Sequence, residues 1–484
     1  MMPTTLIPGV CRSAWLALVA AGLLAGCGDF NITDPNNPTL DDLVKNPTKA
    51  KLAVAATGLF IGARGDVVDM IWRYGSLGRE GANLAGNNQP DYQEPFFGPL
   101  STTQFGSAVW AGRYQHLRSL NTYLSVVPRT PDLSTEERAA SIGFARTLKA
   151  LAFLPLVAGR GALGAPVDVD RPLRATPAPF VSEDSVYGYI IGELDAARDS
   201  LAAGGTAFPF RMPPGFAGFD TPASLILVNR ALAAKAWIFR ATATPSCAGT
   251  CYANALLSLS QSFISGNPAD FTVGAYFDFS NKPGDILNEL SETLDGTTYF
   301  AFNNTVSDAQ LQPGGAVDQR AHDKLAFIDS NDTTVTYTLS GFPIAPNRKF
   351  AVYFTGGQPD QNASIPIIRN EELVLLRAEA NIGLTNYAAA IPDLDLVRVN
   401  AGGLAATTLT PGSSASAFID ELLYNRRYSL LWEQGARWVD ARRYGRLGGI
   451  PVLVPNGTVP SRMPIPADEC AARKLGTSCN PLGT

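Results

Sequence analysis

The chain has 484 residues, of which 46% are hydrophobic and 17% charged, with a formal net charge of −5. That length and apolar content allow a sizeable core and exclude general disorder. A weakly acidic chain has no overall attraction for polyanions, so no nucleic acid partner is expected.

The first predicted element is a leader. Arg12 precedes SAWLALVAAGLLAGC, an apolar run of about a dozen residues, which is the length of a signal-peptide core and too short to span a bilayer. It ends in Leu24-Ala25-Gly26-Cys27, which resembles a bacterial lipobox: small residues admit the signal peptidase and the Cys27 thiol takes the lipid. Residues 1–26 therefore read as a lipoprotein signal peptide, with a plain secretory leader as the alternative. Several acyl chains on Cys27 give firm membrane anchoring, because a single chain is only marginal. Residues 27–44, polar and rich in Asn and Pro, read as a tether, and residues 45–484 as a single domain.

Helical periodicity dominates the first half. NPTKAKLAVAATGLFIGAR, VWAGRYQHLRSLNTYLSVV, STEERAASIGFARTLKALAFLPLV, SEDSVYGYIIGELDAARDSLAA and TPASLILVNRALAAKAWIFRATA place apolar residues three and four apart. Ser134 and Ser182 stand before acidic first-turn residues as caps. Two regions break the pattern: 75–105, and 266–366, where short β-like runs mix with Asn, Asp, Gly and Pro. Long loops in a compact domain are functional or disordered, and the aromatics here argue against disorder. The helical scaffold is expected over 45–265 and 367–445, with 75–105 and 266–366 as irregular insertions.

Residues 371–400 read as a helix carrying Ala378 and Ala380, a turn at Gly383, and a restart at Asn386-Tyr387 with Ala390 and Ile391. This is the pattern of a tetratricopeptide repeat, where small side chains let paired helices approach closely. ALAAKAWIFRATA and YANALLSLSQSFI repeat the plan; generic antiparallel helix pairs are the alternative. Cys247 and Cys251 fall in the intervening turn, and Cys470 and Cys479 form a second local pair. In an exported protein two short-loop disulfides are the default reading. Zinc is the rival, although neither pair has Cys-x-x-Cys spacing.

From Glu421 to Arg446 six arginines face three acids, interleaved with Tyr424, Tyr428, Trp432, Trp438 and Tyr444. Read as one helix, this places Glu433 four residues before Arg437 and Asp440 three before Arg443, so the charges pair along it, with Tyr424, Tyr428 and Trp432 as a packing stripe. Internal scaffold is favoured, with a polyanion site as the alternative.

The same stretch carries Arg427, Leu430, Glu433, Gly435, Arg437, Trp438, Asp440 and Arg442. It resembles the C-terminal signature of the SusD/RagB family of outer-membrane lipoproteins, departing at Ser429, where Glu is common, and at Ala441, where Leu is usual. Arg462-Met-Pro-Ile-Pro466 is similar to that family's closing segment, and Arg146–Val157 with Gly164-Ala-Pro166 to its central helix and turn. The resemblance implies a mostly α-helical, tetratricopeptide-like scaffold with long loop insertions, lipid-anchored at the bacterial outer membrane and facing the exterior. It further implies capture of an oligosaccharide or oligopeptide nutrient, release to a SusC-like TonB-dependent transporter as partner, and no catalysis or cofactor.

The residues themselves offer little catalytic chemistry. His116 and His322 are the two histidines, and no Gly-x-Ser-x-Gly elbow accompanies them; a helix-surface role is expected for His116. GRGALG, residues 159–164, matches Gly-x-Gly-x-x-Gly but follows a helix, and reads as a turn. A carboxylate pair facing one pocket would support a surface hydrolase of glycans, and a repeat groove without a small-ligand pocket a protein-interaction scaffold. Sugars present apolar faces and hydroxyl edges, so a binding site wants aromatic platforms flanked by polar groups. Arg79, Asn83, Tyr92 and Phe96 in the first insertion have that composition, as do Tyr276, Tyr299 and Phe302 in the second. Burial against the scaffold is the alternative for each aromatic.

Overall fold

A computed structural model describes residues 40–480 apart from 173. The expected signal peptide, Cys27 and most of the expected tether lie outside the described residues. Helix α1, Leu40–Lys45, is part of a short N-terminal unit, and from Pro47 onward the chain forms one compact unit.

That unit opens with α2 (Lys49–Ala63), α3 (Val67–Leu77), α4 (Gln89–Phe97), α5 (Gln104–Ser107) and α6 (Ala111–Val126). The longest helices follow, α7 (Thr135–Arg160), α8 (Glu183–Ala202), α9 (Pro222–Ala243) and α10 (Ala248–Ser260). The short α11 (Asn304–Ser307) and α12 (Gln319–Lys324) interrupt the loop region; α13 (Asn370–Gly383), α14 (Tyr387–Asn400), α15 (Ala415–Ser429), α16 (Ala436–Arg443) and α17 (Ala467–Ala472) complete the chain.

Local chemistry fixes the starts. Ser134 Oγ accepts from the Glu137 amide at 3.1 Å while the Glu137 carboxylate accepts from the Ser134 amide, a reciprocal cap for α7. Thr221 and Ser224 do the same for α9. Helix α7 is long and apolar enough to cross a membrane, but 78% of its apolar window is buried inside the protein, which makes it a core helix. Consecutive helices then pack in pairs: α7 with α8, α9 with α10 and α13 with α14. In the last pair Val374, Ala378, Ala390 and Leu394 share a core with Phe418 and Leu422 of α15. Cys247 is bonded to Cys251 at the α9–α10 turn, and Cys470 to Cys479.

The insertions carry short strands and helices. Region 75–105 holds the end of α3, strand β1 (Gly81–Asn83), α4 and α5. Region 266–366 supplies β2 (Gly274–Phe277), β3 (Tyr299–Ala301), β4 (Leu325–Phe327), β5 (Arg348–Phe350), β6 (Phe354–Thr355) and β7 (Gln358–Pro359). Strand β1 pairs antiparallel with β3, Gly81 opposite Ala301, in a sheet ordered β1-β3-β5-β4. Strand β8 (Ile365–Arg369) pairs with β2, with a register shift between Ala275 and Tyr276.

The arginine-rich motif corrects its helical reading. It is two helices, α15 and α16, separated by a turn in which Trp432 (φ 56°) and Gly435 (φ 60°) are left-handed. A Cβ on Gly435 would stand 2.2 Å from that of Tyr74, so only glycine fits. Tertiary contacts outweigh helix continuation here. The Trp432 ring stacks on Phe350 at 3.8 Å, and Glu433 pairs with Arg369 at 3.0 Å and Lys324 at 2.6 Å rather than with Arg437. Burial acts to raise the Glu433 pKa; Arg369 and Lys324 outweigh it and hold the carboxyl below its ordinary value. Asp440 does pair with Arg443, at 2.8 Å, and also with Arg426 at 2.6 Å, while Arg442 lies over Trp438. The motif is thus internal scaffold in these contacts, built on buried ion pairs that cost about 3–5 kcal/mol to break by removing one partner.

His116 also departs from expectation. It is buried on α6, and burial, with Arg113 nearby, lowers its pKa to about 3. GRGALG forms the end of α7 and a following turn, as its position after a helix implies.

Candidate functional site

The pairing of β1 with β3 brings the two insertions together, and with them most of the residues singled out in the sequence. They meet facing inward. Phe96 packs edge to face on Phe302 at 5.4 Å and on Phe342 at 5.1 Å. Tyr92 meets Phe342 at 6.1 Å, and Tyr299 lies against Trp432 at 6.0 Å. The Arg79 guanidinium sits 4.5 Å from the Phe96 ring centre and donates to the carbonyls of Ser76 and Thr458. Burial, then Arg437, lowers its pKa to about 9. Asn83 donates to Asp91 at 3.0 Å. Six of the seven positions are buried in this arrangement, Phe96 fully and Phe302 at 1% exposure.

Tyr276 is placed elsewhere. It lines a cavity of about 440 Å³ between α2, the loop around Pro213–Phe216, and β2 with its following turn. That volume is within the range of small-ligand pockets, about 300–1,000 Å³. Phe60, Ile61, Phe216, Phe277 and Ile367 supply apolar wall, while Arg64, Arg211, Asp278, Ser280, Lys282 and Asp285 supply polar groups. These residues share no local sequence signal: Phe60 and Ile61 lie in α2 with Arg64 at its end, Phe277 and Ile367 in strands, and the rest in separate loops. The available signals were the tight Pro213-Pro214-Gly215 turn and the aromatic-acidic run Phe277-Asp278-Phe279.

The cavity is held in shape by specific contacts. The bulge at Ala275/Tyr276 breaks the strand alternation next to the site. The Gly215 amide donates to Asp278 at 2.5 Å, and a Cβ there would stand 2.3 Å from the Tyr276 carbonyl oxygen, so glycine lets the loop lie against β2. Phe60 packs on Phe216 at 5.4 Å and on Phe144 at 4.8 Å, tying the wall to α7. Arg64 is paired with Asp285 and lies 5.3 Å from the Phe279 ring centre; burial lowers its pKa, opposed by Asp278. Tyr276 is half-buried, its hydroxyl bonded to the Thr272 carbonyl, and burial raises its pKa. The arrangement can receive a ligand with one flat apolar face and polar edges.

Two carboxylates, Asp278 and Asp285, face this cavity. Their oxygens are engaged: Asp278 accepts from the Gly215 amide and Ser364, Asp285 from Arg64, Ser280 and the Ile286 amide.

Residues 278–475 match the model of the SusD family, and the fold matches solved structures of that superfamily. One, a SusD superfamily protein from Bacteroides vulgatus, is 15% identical with a TM-score of 0.66 over 88% of this chain and 97% of its own. Residues 278–475 are thus SusD-like in sequence, and the chain has the fold of that superfamily's solved structures. Surface glycan-binding protein A from Bacteroides thetaiotaomicron, solved in complex with laminarihexaose, is 14% identical with a TM-score of 0.63 over 88% and 98% of the two chains. A laminarin-binding SusD-like protein is 16% identical with a TM-score of 0.60 over 88% and 98%. No curated protein matches the chain in sequence. The helical pairs form the scaffold, and the two insertions meet through the pairing of β1 with β3.

Proposed function

We propose that this chain captures an oligosaccharide at the outer membrane and passes it to a SusC-like TonB-dependent transporter, with Cys27 as the lipid anchor and the body facing the exterior. An oligopeptide is the other ligand class the resemblance allows. The observation that carries the reading is the cavity at Tyr276, whose aromatic wall and polar groups suit the flat apolar face and hydroxyl edge of a sugar. The likeness to a fold solved with laminarihexaose supports a glycan over a peptide. Tyr276 is the ligand contact among the sequence candidates, and Arg79, Asn83, Tyr92, Phe96, Tyr299 and Phe302 act by packing the two insertions together.

The two carboxylates in one cavity are what a glycan hydrolase reading needs. Both groups are engaged as hydrogen-bond acceptors within the cavity wall, which suits structural contacts, so binding without turnover is the better fit. The test is calorimetric titration of the purified chain with neutral oligosaccharides, laminarihexaose among them, and with peptides, assaying products in parallel. Saturable oligosaccharide binding without product supports the reading. Turnover abolished by Asp278→Asn or Asp285→Asn would make the chain an enzyme.

A further inference from the structure

A second cavity, of about 340 Å³, lies at the C-terminal end of α7. Its wall carries Arg160, Arg442, Arg443 and Arg462, with Glu183 as the acid among its lining residues. Arg443 is neutralised by Asp440 at 2.8 Å and by Glu379. The others have no carboxylate in ion-pair contact among the described residues. Arg160, fully buried, donates to the carbonyls of Val109, Gly106 and Ala108, and its Nε has no partner. Arg442 donates to the carbonyls of Ser461 and Ala158, and the buried Nε of Arg462 is also unpartnered.

Carbonyl contacts satisfy a guanidinium's geometry without cancelling its charge. Three such groups against one carboxylate leave an excess of two positive charges around a hollow. Desolvated charge of this kind is unfavourable unless an opposite charge is supplied. Glu183 opens the 20-residue α8, so the positive end of that helix dipole adds to the field. Leu148 lines the cavity at Tyr276 and Arg160 lines this one, both on α7; twelve residues of helix place them about 18 Å apart.

We propose that this cavity binds an oxyanion group, sulfate or phosphate, held by Arg442 and Arg462 with Arg160 behind them, at a site separate from the cavity at Tyr276. Guanidinium is suited to the task because its fork of donors matches two oxygens of such a group. The group can be a free ion or an ester carried by a sugar.

Calorimetric titration of the purified chain at constant ionic strength, with sodium sulfate, sodium phosphate and glucose 6-sulfate, tests this. Saturable binding is expected, weakened about tenfold or more by Arg462→Gln, which removes a charge-assisted fork. Glu183→Gln should tighten binding about fivefold by removing a facing like charge, an effect that a purely structural role does not produce. Equal affinity for sulfate and glucose 6-sulfate identifies the free ion as ligand, and tighter binding of the ester the carried group. Neutral oligosaccharide binding should be unchanged in Arg462→Gln, so failure here is distinguishable from failure at the first cavity. No saturable binding of any of the three by the unaltered chain, or the same affinity in Arg462→Gln, overturns the proposal.

Discussion

The aromatic cluster behind the four-stranded sheet and the wall of the cavity at Tyr276 have nearly the same composition. Each combines phenylalanines and a tyrosine with an arginine, an acid and polar neighbours. In the first, Phe96, Phe302 and Phe342 close on one another and Arg79 caps them, leaving almost no exposed surface. In the second, Phe60, Phe216 and Tyr276 line an open hollow because Gly215 brings one loop onto a bulged strand. Composition makes a ligand platform possible; strand pairing and loop approach decide whether it is used as core.

The sharpest way to break that comparison is to truncate one aromatic on each side. Phe96→Ala should destabilise the protein by about 3–5 kcal/mol in urea denaturation, the cost of a large cavity in a closed core. Oligosaccharide affinity of the folded fraction should stay within about twofold, that is, well under 1 kcal/mol. A mild effect on stability with a large loss of affinity would move Phe96 to the ligand side.

Glu80 sharpens the same point through pH. It sits behind the sheet at 1% exposure, its carbonyl bonded to the Phe302 amide, and burial pushes its pKa up to about 7 against the opposing pull of Arg437 and Arg427. The folded value exceeds the ordinary 4.5, so the folded state holds this proton longer. The Glu80 contribution is full below about pH 4.5 and is lost as pH rises through about 7, a change of about 3 kcal/mol. Subtracting the stability of Glu80→Gln from that of the unaltered chain isolates the effect from His116, whose lowered pKa acts the opposite way. The difference should decline between pH 4.5 and 7.5; a flat difference places Glu80 in contact with water.

Tyr276→Ala is the smaller, complementary change. It should weaken oligosaccharide binding about tenfold, or about 1.4 kcal/mol, while costing less stability than Phe96→Ala. Unchanged affinity would remove Tyr276 from the site.

Much of the scaffold was legible because its signals are local. Ser134 with Glu137, Thr221 with Ser224, and the small residues of α13 and α14 announce helix starts and close pairs within a few positions. The arginine-rich stretch shows the limit. Glu433 finds Arg369 and Lys324, 64 and 109 residues away, and those partners turn the chain where periodicity alone continues the helix. The site was less legible for the same reason. Gly81 pairs with Ala301 and Gly215 with Asp278, contacts that no local pattern encodes, so aromatics of the right kind were identified without their facing. Phe60, Arg64 and Phe216 carried no site signal, since each is ordinary in its own segment.

A structure of the chain with a bound oligosaccharide tests the central claim most directly. The account predicts the sugar ring against Tyr276 and Phe216, with its hydroxyls on Arg211, Asp278 or Lys282. A ligand resting instead on the loops outside the sheet, around Asn88, Gln93 and Leu339, would contradict it.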